Sequence, residues 1–374
     1  MAASLVHVLR FASRHVRLNS SFPVAVEGRR YLLSPDVLRY DNYLKQSSII
    51  ADQMEGRIDV FHGAIADKLQ RELPLAENDV KHMLHTCRTQ EDFKLAEKAL
   101  KSYHEQTQHI RRRHFRYGPV LMRCCQHLGL EEKALELVTD QSLQDIFLDV
   151  TTYCLLMHML FTRSDYKGVL RVFELMHSRS IRANANSYKL AFAALYKQNT
   201  PEAFARCKGL YEGVQQGDLT DETTGFIMAL ALNQNDYEYM ISVYNRVKPR
   251  DCRSCQSLNV VALARLEQFE DMFAALRLIF ERDVPTFIPK WEVSQQTMTT
   301  IRQTLEEKRP ELVQQLEDVY DSLKAGGHLV PTPVEVMLME PPPPTTTRRA
   351  SPGLRKSFQR TRRPNTRAQA DVNV

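Results

Sequence analysis

The chain has 374 residues, 43% of them apolar and 25% charged, with 50 Lys and Arg against 45 Asp and Glu for a net charge of +5. These are ordinary globular proportions, so wholesale disorder is excluded, and no run of about 18 uncharged apolar residues is present to cross a membrane. Glycine accounts for only 13 residues, about half of the usual ~7%, which excludes turn-rich β architectures and favours helix.

Residues 1–31 hold five arginines and four serines against one acid, Glu27, for a charge of +4. Leu5, Val8, Leu9, Ala12 and Val16 fall near one face of a helix, with arginines on the others. That is the amphipathic, Arg- and Ser-rich, acid-poor pattern of a mitochondrial transit peptide; a basic surface helix of the mature fold is the alternative. Arg29-Arg30-Tyr31 before Leu32 reads as a matrix-processing site, which starts the mature chain near Leu32. Ser34-Pro35 then supplies an N-cap and a proline at the first helical position. Helices are predicted over 35–53 and 57–73, within an N-terminal segment 32–76.

The helical pattern continues in pairs. Six helical hairpins are predicted over 77–105, 115–143, 150–184, 185–219, 220–250 and 251–283. In the third, Tyr153, Leu156, Met157 and Leu160 share one face of the first helix, and Val169, Val172, Phe173 and Met176 share one face of the second. Tyr117, Tyr153 and Tyr188 recur 36 and 35 residues apart, and Asp236-Tyr237-Glu238-Tyr239-Met240 is echoed 32 residues later by Gln268-Phe269-Glu270-Asp271-Met272. A two-helix unit repeating every 32–36 residues is the signature of an α-solenoid. One hairpin cannot bury its apolar face alone, whereas stacked neighbours bury a continuous core and leave an extended concave surface. A pair over Trp291–Glu307 and Pro310–Ala325 is predicted to cap the array, in a segment 284–328. Beyond Gly326-Gly327, Pro331, Pro333 and the run Pro341 to Pro344 oppose regular structure, so 329–374 reads as a disordered basic tail. Residues 341–374 carry +7, which leaves −6 on residues 32–340. Global charge is therefore no argument for nucleic-acid binding.

The segment DVTTYCLLMHMLFTRSDYKGVLRVFELMHSRSIRAN, Asp149 to Asn184, resembles a pentatricopeptide repeat. It has the Thr-Tyr opening of the first helix, the Phe173…Met176 close of the second, and a Ser-Ile-Arg-Ala-Asn exit where that family usually has Gly-Ile-Lys-Pro-Asp. GLEEKALELV, Gly129 to Val138, matches the family's second-helix opening, while the Trp, Leu-Gly and Tyr signature of tetratricopeptide repeats is missing. The resemblance runs from about Arg30 to Leu329 and implies an all-α, right-handed α-solenoid over 77–283 with disordered termini. It also implies mitochondrial RNA maturation that supports respiratory-chain expression, without a catalytic domain. In plant-type members each repeat reads one base, through the residue after the opening tyrosine and the repeat's last residue. Here those pairs are Gly118 with Asp149, Cys154 with Asn184, and Lys189 with Leu219, and only Asp149 and Asn184 match the family's preferences. No base-by-base code is legible. Six hairpins limit the contact to about six nucleotides.

The strongest local patch is His109-Ile110-Arg111-Arg112-Arg113-His114-Phe115-Arg116-Tyr117, at the entry to a first helix. Arg111, Arg112, Arg113 and Arg116 are candidates to bind phosphates, with Phe115 or Tyr117 as a stacking platform; a solvated charge run with both aromatics in the core is the alternative. Arg348, Arg349, Arg355 and Lys356 are candidates for an electrostatic tether in the tail, against the alternative of plain solvated sequence. Arg348-Arg349-Ala350-Ser351 also resembles a basophilic kinase site.

Seven cysteines are too few for a disulfide scaffold and cannot all pair, so they read as reduced thiols. Cys252-x-x-Cys255 has no second Cys or His pair nearby to complete a zinc site. A zinc deaminase would need His-x-Glu plus Pro-Cys-x-x-Cys; the chain has no His-x-Glu, and Asp251 precedes Cys252. Walker, Gly-x-Gly-x-x-Gly and His-Glu-x-x-His motifs are also missing, and the carboxylates are dispersed rather than clustered for a metallonuclease. The expectation is a non-enzymatic protein without metal or cofactor and without membrane insertion. It binds single-stranded mitochondrial RNA in the matrix, with RNA-processing enzymes or the mitoribosome as further partners. The rival reading is a protein-binding scaffold, mitoribosome-associated or for respiratory-complex assembly; a nuclease with an unrecognised active site is a third.

Overall fold

A computed structural model describes residues 32–107, 115–247, 252–281 and 291–340. The transit-peptide reading of 1–31 and the tail from 341 onward lie outside the described residues.

The N-terminal helices are α1 (Pro35–Leu38), α2 (Tyr40–Gln53) and α3 (Ile58–Gln70). The single helix expected over 35–53 is broken at Arg39, whose φ of +48° is left-handed and cannot continue an α-helix. Pairs follow: α4 (Glu77–Thr86) with α5 (Gln90–Thr107), α6 (Tyr117–Leu128) with α7 (Glu131–Thr139), and α8 (Val150–Thr162) with α9 (Tyr166–Ser178). Next come α10 (Ala185–Gln198) with α11 (Pro201–Gly213), α12 (Asp221–Asn233) with α13 (Tyr237–Val247), and α14 (Arg253–Arg265) with α15 (Phe269–Glu281). From Tyr117 on, first helices begin 32 to 36 residues apart.

Local chemistry sets these boundaries. Asp149, Asn184, Thr200 and Thr220 cap α8, α10, α11 and α12 with side-chain oxygens that accept backbone N–H bonds. Inside the hairpins the chain reverses through a left-handed residue: Gly129, Ser164, Asn199, Asn235 or Glu267. Such a residue closes the last turn and ends the helix.

Consecutive first helices pack directly on one another, α4 on α6, α6 on α8, and so on to α14. Second helices of neighbouring repeats meet through side chains, as in the ion pair of Lys133 with Glu97 and the rings of Tyr211 and Tyr239. One continuous core runs from Leu32 to Ala262, and a second joins α14 and α15 to the C-terminal helices. This is the all-α helical-repeat solenoid expected from the sequence.

The C-terminal region is more ordered than expected. After α16 (Gln295–Lys308) and α17 (Val313–Ala325), residues 329–340 are not a tail. Strand β2 (Leu329–Val330) pairs in parallel with β1 (Val293–Ser294), and α18 (Val334–Met339) follows. Pro331 and Pro333 do not oppose this, because Pro333 falls at the N-cap of α18 and interrupts no helical hydrogen bond. Apolar burial of Met337, Leu338 and Met339 holds the segment to the body.

Within α8, every residue from Thr152 to Phe161 is buried, including His158 at 1% exposure. Burial pushes the His158 imidazole down to about 4, from an unfolded value near 6.5. The unfolded chain therefore binds the extra proton first as pH falls. The stability of the neutral form is complete above about pH 6.5 and lost as pH falls towards 4. A His158→Leu chain should lose about 3 kcal/mol less stability than the wild type between pH 7 and pH 4, a difference readable by urea denaturation at both values.

Candidate nucleic-acid interface

Where α6, α8 and α10 lie side by side, their N-terminal ends and the segment from Leu33 to Arg39 enclose a cavity of about 420 Å³. Three arginines line it: Arg39, Arg116 and Arg123. Asp36, Asp149, Asn184, Asn186 and Cys154 line it as well.

Each of these groups is placed by backbone chemistry. Asp149 caps α8: one carboxylate oxygen accepts from the Thr151 N–H at 2.8 Å, the other from the Thr152 hydroxyl at 3.0 Å. Asn184 caps α10 with a reciprocal box, its Oδ1 accepting from the Ser187 N–H at 3.0 Å while Ser187 Oγ accepts from the Asn184 N–H at 2.9 Å. The Cys154 thiol donates to the same Oδ1 at 3.6 Å, so the amide NH₂ of Asn184 stays unused by any described residue. Burial pushes the Cys154 thiol up to about 12, with the Asp149 charge adding to it. It is a neutral donor at physiological pH.

Arg123 is the one buried cation of the three. Its Nε donates to the Leu38 carbonyl at 2.7 Å and its Nη1 to the Pro119 carbonyl at 3.3 Å. Burial lowers its pKa, the nearby Arg39 charge lowers it further, and Asp149 works in the opposite direction; a guanidinium stays charged regardless. Arg39 and Arg116 are exposed, and neither is paired with a carboxylate among the described residues. The three guanidiniums outnumber the carboxylates of Asp36 and Asp149 that also line the cavity, which leaves a small local positive excess in a body of charge −6, suited to phosphate.

The residues singled out from the sequence separate into three groups. Arg116, Asp149, Cys154 and Asn184 come together in the cavity. Arg111, Arg112 and Arg113, and the tail residues Arg348, Arg349, Arg355 and Lys356, lie outside the described residues. Tyr117, Gly118 and Lys189 are buried. Tyr117 is 3% exposed, its ring edge-on to Phe115 at 4.8 Å and Tyr103 at 5.6 Å. Phe115 in turn sits under the Lys81 ammonium at 4.3 Å. The two aromatics pack with each other at the hairpin junction, which corrects the stacking-platform reading of Tyr117. Gly118 faces Thr152 so closely that a Cβ would collide with it. Lys189 is 3% exposed, and burial lowers its ammonium pKa against the opposing pull of Glu222 and Cys252.

Arg39, Arg123 and Asn186 were missed. Arg39 falls inside the helix expected over 35–53, and Arg123 belongs to no motif in the sequence. The adjacent caps were the only signal for Asn186. The Cys252 and Cys255 thiols both turn onto the Asp221 carbonyl, at 3.7 and 3.2 Å. No three His, Cys, Asp or Glu side chains converge among the described residues as metal ligands would. No described helix is long and apolar enough to cross a membrane.

Fold and site define a helical-repeat protein with a polar cavity on the first-helix side of its stack. A family model described as mitochondrial 28S ribosomal protein S27 matches residues 1–208. "Pentatricopeptide repeat-containing protein 2, mitochondrial" of Xenopus laevis is 31% identical over 314 residues, 83% of this chain and 82% of that protein. The Homo sapiens protein of that name is 27% identical over 83% of this chain and 80% of its own length, and the Danio rerio one 29% over 77% of each. The chain belongs to this family of mitochondrial pentatricopeptide repeat-containing proteins, matches the S27 family model over more than half its length, and is mitochondrial.

Arg123 joins the N-terminal arm to the repeats, so Arg123→Met should leave the buried Leu38 carbonyl without its donor, at a cost of about 1–3 kcal/mol. Urea denaturation should show that loss, and hydrogen exchange should show the amides around Leu38 opening faster than those of α8.

Proposed function

We propose that the chain is a non-catalytic RNA-binding protein of the mitochondrial matrix, which holds single-stranded transcripts along its first-helix wall and so steers their maturation by other enzymes. The observation that carries this reading is the cavity itself. Exposed Arg39 and Arg116 and buried Arg123 share its lining with two helix-capping side chains, Asp149 and Asn184, and with Asn186. Arginine forks suit phosphate oxygens, and carboxamide and carboxylate groups suit base edges. Arg123, Asp149 and Asn184 are each held by bonds to backbone groups, which suits a rigid recognition surface. Holding a strand there decides which neighbouring phosphates a nuclease can reach. Respiratory-chain expression then depends on the protein through its transcripts.

A scaffold role on the mitoribosome is the second reading. It is favoured by the S27 family model over residues 1–208 and by the acidic body, since solenoid concavities also grip peptides.

Salt dependence separates the two. If Arg39 and Arg116 contact phosphates of a single strand, the Arg39→Ala/Arg116→Ala chain should bind RNA more weakly, and its log–log salt slope should be shallower by about 1.4, at ~0.7 per lost contact. Arg111→Ala, Arg112→Ala and Arg113→Ala extend the measurement to the neighbouring patch. An unchanged slope would remove the cavity from the RNA path. Salt-resistant association with ribosomal proteins in the absence of RNA would favour the scaffold.

A further inference from the structure

The inner face of α12 and α14 is covered by the chain's own C-terminus. Segment 329–340 begins with β2, passes the start of α16 and sets α18 against α12 and α14. It is fastened along its whole length. The Ser294 hydroxyl donates to the Thr332 carbonyl at 2.7 Å, and the Val334 N–H donates to Gln296 Oε1 at 3.3 Å. Lys197 of α10 pairs with Glu335 at 2.6 Å, and Arg253 of α14 pairs with Glu340 at 2.6 Å. Leu338 is 2% exposed and, with Met339, belongs to the same core cluster as α12.

The register of that contact is specific. Cys154 and Lys189 each stand five residues after the caps Asp149 and Asn184. The equivalent position after the cap Thr220 is Gly225. A Cβ at Gly225 would lie 2.7 Å from Leu338 Cδ2, closer than van der Waals contact allows. Glycine there makes the seat into which Leu338 fits. The place in the α12 repeat that corresponds to Cys154 beside the cavity is thus filled by a leucine of the same chain.

We propose that segment 329–340 is a resident plug: it occupies, in cis, the distal part of the wall along which RNA would run, and confines the accessible part to the cavity that the N-terminal ends of α6, α8 and α10 form with the arm Leu33–Arg39. This rests on the RNA-binding reading above and adds its extent and a means of regulating it. At one base per repeat, the plugged wall takes about three nucleotides and the unplugged wall about five. Two ion pairs with side chains between 26% and 60% exposed hold the plug's ends. Such pairs are individually weak and screened by salt, so a partner that lifts the plug must pair with Glu335 and Glu340 and also cover the apolar face of Met337, Leu338 and Met339.

The test uses the full chain and a 12-nucleotide single-stranded RNA carrying 4-thiouridine. In the wild type, photocrosslinks should map to peptides of α6, α8 and α10 and spare the α12 peptide that contains Gly225; crosslinks within that peptide would overturn the plug. In the Glu335→Ala/Leu338→Ala/Glu340→Ala chain, hydrogen exchange should show α18 released. The protected length should grow from about three to about five nucleotides, with affinity rising roughly tenfold. Gly225→Val crowds Leu338 and, less closely, Ser254 of α14; where hydrogen exchange shows α18 released and α14 still protected, it should give the same change. Release of α18 with an unchanged footprint refutes the plug and leaves RNA binding standing. A wild-type chain that crosslinks to no RNA overturns the RNA-binding reading and the plug together.

Discussion

Direct packing of one first helix on the next is the constraint from which the rest follows. Each hairpin has one apolar face too many to be stable alone, and only a neighbour can cover it. The consequence is visible in α14, where every residue from Ser254 to Ala264 is buried. First helices have their second helices behind them and first helices on either side. What remains is the inner face, and here both ends of the described chain fold back onto it: Leu32 to Arg39 over α6 and α8, α18 over α12 and α14.

That closure explains why the cavity sits where it does. At α6 and α8 the covering arm is polar at its tip, and a buried guanidinium secures it to a carbonyl. Space is left over, lined by caps and arginines. At Gly225 the cover is a leucine in a glycine seat, and a cavity of about 520 Å³ remains further along, between α12, α14, α16 and the covering segment. The same stacking geometry yields a polar site at one register position and a leucine-filled one at the equivalent position two repeats on, because the residues there differ: Cys154 beside an asparagine cap, Gly225 beneath Leu338.

The repeat was legible in the sequence because its signal is redundant: caps, apolar spacing and recurring tyrosines all mark the same boundaries, and the helical pairs were readable from them. Single-residue backbone events were not. A left-handed Arg39 splits a helix that periodicity alone would run through. Part of the site was readable through Asp149 and Asn184, since a capping residue announces itself locally. Arg123 and Arg39 reach the cavity only because residues 84 positions apart meet in the fold, which no local pattern records. The proline-rich reading of 329–340 failed for a physical reason. Proline breaks helix interiors but is tolerated at their starts, and burial of Leu338 outweighs a sparse local propensity.

The central claim, that this wall holds single-stranded RNA, is tested most directly by ultraviolet crosslinking of the full-length chain inside intact mitochondria, followed by sequencing of the recovered RNA. The account predicts short, discrete peaks in unpaired stretches of a few transcripts. Recovery of ribosomal proteins with no crosslinked RNA, from a chain that sediments with the small ribosomal subunit in high salt, would contradict it.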